Sequence, residues 1–155
     1  MVNLAIIIVP LFLLMGNEEL ASVDIVKIKV PKIVVGAGKS VVIKIEIEIK
    51  EGYHIQANKV NNDFLIPTIL EINEYKNIII GIQQFPSPKK IKLEGTDIFL
   101  DVYDGVSEIR IPITVAKEIP KGKHKLKANL QYQACDNKTC LFPKNITFSF
   151  TLKVI

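Results

Sequence analysis

The chain has 155 residues, 48% of them hydrophobic and 23% charged, which suits one globular domain with a core of its own and excludes a low-complexity or disordered chain. Its formal charge is +4, and Arg110 is the single arginine, so nearly all of the positive charge is lysine. Nucleic-acid readers lean on arginine for bidentate contacts, and no basic cluster is interleaved with aromatics, so the composition points to a lysine-coated solvated surface and no nucleic-acid partner.

The first distinct segment is Leu4 to Met15, apolar apart from Pro10. Twelve helical residues span about 18 Å, short of the roughly 30 Å hydrocarbon core of a bilayer. That length fits the apolar core of an export signal, and Gly16, Ala21 and Ser22 supply small residues for cleavage. Residues 1–22 are therefore read as a signal peptide, although no lysine or arginine precedes the apolar run; the competing expectation is an uncleaved membrane anchor.

From Val23 to Ile155 the chain reads as strands. Val26, Ile28 and Val30 alternate with Lys27 and Lys29, and Gly36-Ala37-Gly38-Lys39 makes a turn. Val41 to Ile49 is the cleanest strand, with an isoleucine or valine at every second position. Glu51-Gly52 closes it, and Tyr53 to Gln56 opens another extended piece, in which His54 reads as a packing or hydrogen-bonding residue. Phe64 to Ile72 reads as a strand that Pro67 pushes to a sheet edge. Ile78 to Gln83, Ile98 to Leu100 and Ile109 to Val115 supply further strands, and Phe85-Pro86-Ser87-Pro88 an irregular connector. No segment has a helical period. Eight or more short strands predict an all-β, immunoglobulin-like antiparallel β-sandwich, though not an immunoglobulin proper, since tryptophan is absent and the cysteines lie too close to bridge two sheets.

Both cysteines fall in one loop, Gln131 to Pro143. Leu126, Ala128, Leu130 and Tyr132 alternate with polar residues before it, and Ile146, Phe148, Phe150, Leu152 and Val154 do so after it, so the two strands are expected to pair antiparallel across the loop. Cys135 and Cys140 stand roughly 17 Å apart if extended, whereas a disulfide usually holds its α-carbons about 4.4 to 6.8 Å apart. Asp136, Asn137 and Pro143 are residues that turn a chain back. A bridge over so few residues removes only roughly 2 kcal/mol of unfolded-chain entropy. The spacing leaves open a redox-active pair that exchanges with incoming thiolates and a structural staple in an exported sandwich. Metal binding is disfavoured, because His54 and His124 do not complete a known ligand spacing. Gln133-Ala134-Cys135 also opens like a caspase signature, but Asp136-Asn137 does not continue it.

Several stretches are similar, in order, to landmarks of one family. These are Gly52-Tyr53-His54-Ile55, Asp63-Phe64-Leu65-Ile66-Pro67-Thr68, Phe85-Pro86-Ser87-Pro88-Lys89, Val102-Tyr103-Asp104-Gly105, and Tyr132-Gln133-Ala134-Cys135 with Cys140 and a proline following. Together they resemble the amino-terminal periplasmic domain of the thiol:disulfide interchange protein DsbD, over residues 23–155.

The resemblance implies an exported, periplasmic thiol:disulfide oxidoreductase module that needs no cofactor and no metal. It implies Cys135 and Cys140 as the catalytic pair, with Cys140 forming the mixed disulfide and Cys135 resolving it. Its partners would be thioredoxin-fold redox proteins, and a separate membrane electron-relay protein would supply the electrons. It also implies a cap loop over the cysteines, Asp101-Val102-Tyr103-Asp104-Gly105, with the Tyr103 ring as the cover and Gly105 free to take the backbone angles of a mobile loop. Lys138 would favour a nearby thiolate and Asp136 oppose it. The competing class is an exported immunoglobulin-like binding or assembly module whose disulfide is only structural.

Overall fold

Isoleucine at every second position builds the central strands, because a strand turns alternate side chains to opposite faces. The computed structural model describes residues 24–155, so the expected export signal lies outside the described residues. The first sheet has the order β1 (Val26–Lys29), β3 (Ser40–Ile49), β9 (Val106–Val115) and β6 (Ile78–Ile80). In it Ile43 faces Ile111 and Ile45 faces Ile109, all four fully buried.

The second sheet runs β2 (Ile33–Val35), β12 (Lys144–Val154), β10 (Gly122–Tyr132) and β5 (Ile69–Ile72). Strands β10 and β12 pair antiparallel from Gly122↔Val154 to Tyr132↔Lys144, so residues 133–143 form their connection, as the alternation predicts. Leu126, Leu130, Phe150 and Leu152 face inward from this pair and join the isoleucines of the first sheet in one core. Each such side chain, fully buried, contributes roughly 1.5–3 kcal/mol.

The third sheet, β11 (Ala134–Cys135), β4 (His54–Gln56), β8 (Phe99–Tyr103) and β7 (Lys89–Lys92), carries the first cysteine. No helix occurs among the described residues, and the fold is an all-β, immunoglobulin-like sandwich with a single parallel pairing, between β12 and β2.

Two expectations need correction. The strand expected over Phe64 to Ile72 is ordered as a strand only in β5, which does lie at a sheet edge. Its first half is held otherwise: Ile66 N donates to the Gln133 side chain, Pro67 has no N–H, and Thr68 N donates to Ala57 O. The run expected to reach Gln83 leaves the ladder after Ile80, although Gly81 N and Gln84 N still donate to Pro112 O and Arg110 O. Strands β2, β7 and β11 are not foreseen, each being four residues or fewer. So short a run carries too little alternation to register.

Candidate functional site

The third sheet separates two apolar regions. Ile55, Tyr103 and Ala134 lie on its inner face and belong to the main core. Leu100, Val102 and Cys135 form a second small cluster, with Leu65, Ile91, Leu93 and Cys140 packed against it. The register explains the division. Ile55 pairs with Tyr103 and with Ala134, whereas Gln56 pairs with Val102 and His54 with Cys135. In strands the two sets must face opposite ways.

Cys135 and Cys140 are joined in a disulfide and form an antiparallel bridge, with their α-carbons 3.9 Å apart. The loop between them is tied by Asp136, whose Oδ1 accepts from Lys138 N and Thr139 N, both at 2.8 Å. These backbone bonds hold the Asp136 carboxyl below its ordinary range. Asp136 is therefore an Asx-turn residue that shapes the loop. Gln133 braces the loop from beneath: its Oε1 accepts from Ile66 N at 2.9 Å and its Nε2 donates to Leu141 O at 3.2 Å. A backbone bond from Leu141 N to Ala134 O, 2.7 Å, closes the base.

The two sulfurs differ in access. Cys135 is completely buried, while Cys140 is half-buried and is followed by exposed Leu141 and Phe142, the latter 91% exposed. Gln56, itself 0% exposed, points its amide Nε2 at both, 3.1 Å from Cys135 Sγ and 3.7 Å from Cys140 Sγ. His54 lies on the same face of β4, buried, with Nε2 unpartnered. Burial lowers its pKa, against the upward pull of Asp104 and Asp136. The packing role expected of His54 fits its burial, but its ring nitrogen Nε2 has no hydrogen-bond partner.

The stretch expected to cap the pair divides between the two regions. Val102 shares the cluster of Cys135. Tyr103 does not: its ring is 3% exposed, stacks on Phe85 with centroids 6.5 Å apart, and its hydroxyl donates to Asn58 Oδ1 at 2.6 Å. Burial raises its pKa. The reason is strand alternation, which turns Tyr103 to the main core whenever Val102 faces the cysteines. Asp101 and Asp104 are ion-paired with Lys90 and Lys89 of β7. Gly105 takes a positive φ of 56° in the turn from β8 to β9, a conformation that glycine adopts without steric cost.

Sequence reasoning missed Gln56. Alternating with Tyr53, Ile55 and Ala57, it carries the signature of a solvated strand face. That face is instead covered by the cysteine pair, a tertiary fact with no local signal.

Fold and site together define an immunoglobulin-like sandwich that displays one short-loop disulfide at the edge of a small third sheet. Residues 23–152 match the family model described as thiol:disulfide interchange protein DsbD, N-terminal, and the chain belongs to that family. Among solved structures, the N-terminal periplasmic domain of ScsB from Proteus mirabilis is 15% identical with a TM-score of 0.54, covering 83% of this chain and 45% of that one. The reduced Neisseria meningitidis DsbD N-terminal domain is 16% identical over 76% of this chain and 82% of that one, with a TM-score of 0.49. A type I cohesin of Pseudobacteroides cellulosolvens is 14% identical with a TM-score of 0.53, covering 84% of this chain and 92% of that one, and shares the fold. No curated protein matches the chain in sequence.

Proposed function

We propose that this domain is an exported, periplasmic thiol:disulfide exchange module that cycles between the Cys135–Cys140 disulfide and the dithiol. It hands reducing equivalents to thioredoxin-fold proteins and draws them from a membrane electron relay. Membership of the DsbD N-terminal family supports the chemistry. The observation that carries the site assignment is the unequal burial of the two sulfurs.

Exchange requires an incoming thiolate to reach a sulfur. In the oxidised domain Cys140 is the less buried of the two cysteines, with Phe142 two residues on as an exposed apolar contact for a partner. Attack there forms a bond between the partner sulfur and Cys140 Sγ, breaks the Cys135–Cys140 bond, and leaves the electron pair on Cys135 Sγ as thiolate. A second donor thiolate then attacks the partner sulfur of the mixed disulfide and releases Cys140 as thiolate. Run in reverse against an oxidised acceptor, the same steps reduce it. Burial of Cys135 against Leu100 and Val102 shields the resolving sulfur from stray thiols.

The assignment is tested by trapping. Cys135→Ser is expected to accumulate a mixed disulfide with a thioredoxin-fold partner, and Cys140→Ser to accumulate little. Equal trapping by the two variants overturns the roles.

A further inference from the structure

We infer that Gln56 is a catalytic residue of the exchange reaction, its buried amide serving as the hydrogen-bond donor that stabilises the negative charge developing on Cys135 when the disulfide opens. The inference rests on the exchange reading above and adds to it the group that makes a buried leaving sulfur workable.

When a partner thiolate attacks Cys140 Sγ, the Cys135–Cys140 bond breaks and its electron pair goes to Cys135 Sγ. That sulfur is fully buried beside Leu100 and Val102. Apolar burial opposes a thiolate, so charge developing there needs a donor already in place. Gln56 Nε2 stands 3.1 Å from this sulfur. A disulfide sulfur carries no hydrogen, so the NH₂ end of the amide is the end that makes a favourable contact with it. To a neutral disulfide the contact is weak; to a thiolate it becomes a charge-assisted bond, stronger as the reaction proceeds.

The amide is also held in advance. Gln56 N donates to Gln133 O at 3.0 Å, and Thr68 Oγ1 donates to Gln56 O, fixing the main chain on both sides of the side chain. Its Oε1 is buried with no partner. A residue chosen for stability would not leave half of a buried amide unsatisfied. The arrangement is understandable if the amide is placed for the sulfurs and the orphaned oxygen is tolerated.

Gln56→Met keeps the volume and removes the donor. In the oxidised protein, reduction of the native disulfide by dithiothreitol is expected to slow at least tenfold, with the thermal midpoint unchanged or raised. A rate within twofold of the unmodified protein, or a lowered midpoint with an unchanged rate, assigns Gln56 a structural role and overturns the inference. Should Gln56→Met not fold, the Cys140→Ser variant with Gln56 intact decides: the Cys135 thiol is expected to titrate below its ordinary value of about 8.5 despite burial, and a value at or above that overturns the inference. If the unmodified protein itself resists dithiothreitol while folded, the exchange reading fails; if it is reduced and Gln56→Met keeps pace, only the role of Gln56 fails.

Discussion

The main core and the small cluster around Cys135 share the third sheet as a wall, yet their polar chemistry is opposite. In the core the largest fully buried side chains are isoleucines and leucines, such as Ile43 opposite Ile111, and the buried Tyr103 hydroxyl has Asn58 as its partner. Around Cys135 the two buried side-chain atoms without partners among the described residues, His54 Nε2 and Gln56 Oε1, sit two residues apart on one face of β4. Unsatisfied polar atoms are costly wherever they are buried. Their concentration beside one disulfide, and not across the sandwich, separates the part of the molecule built for stability from the part built for chemistry.

If that division holds, substitutions on the two sides of the wall should separate stability from reactivity. The largest effect is expected from Leu130→Ala, at a fully buried core position. It should cost about 2–5 kcal/mol of unfolding free energy, measured by denaturant titration, while the folded protein keeps its rate of disulfide reduction. A changed rate would couple the two regions.

Tyr103→Phe comes next. It removes the hydroxyl that donates to Asn58 Oδ1 and accepts from Asn58 N, and should cost about 1 kcal/mol. Because the ring faces the main core, removing it in Tyr103→Ala should not accelerate attack on the disulfide of the folded protein by small thiols; acceleration would put the ring over the cysteines.

The smallest effect concerns pH. Burial lowers the His54 pKa below its ordinary 6.5, opposed by Asp104 and Asp136. The unfolded chain therefore binds more protons than the folded one in the window from the depressed folded value up to about 6.5. Stability should rise with pH across that window and fall on acidification through it. His54→Phe should flatten this part of the profile, read as denaturation midpoints at pH 7.5 and 5.5; an identical slope would remove His54 as its source.

Much of this was legible in the sequence, for identifiable reasons. Strands β3, β9, β10 and β12 each run ten or eleven residues, long enough for a period of two to declare both strand and buried face. The pairing of β10 with β12 across the cysteine loop followed from the same alternation. What escaped depends on what lies over a face. The polar side of β4 reads as solvated until the loop of residues 133–143 folds over it, so Gln56 was invisible. Asp136 read as a charge beside the sulfurs, whereas its Oδ1 is occupied by two backbone N–H groups. The motif places Tyr103 by its position alone, whereas strand alternation turns Val102 toward Cys135 and Tyr103 toward the main core.

The most direct measurement is a redox titration of the native protein against a thiol buffer, followed by mass after alkylation and, in the same samples, by circular dichroism. The account predicts that Cys135 and Cys140 pass reversibly between disulfide and dithiol while the β-sandwich signal stays intact, and that a thioredoxin-like protein reduces the pair under these folding conditions. A pair that yields to reductant only when the sandwich unfolds would contradict it and leave Cys135–Cys140 a structural staple.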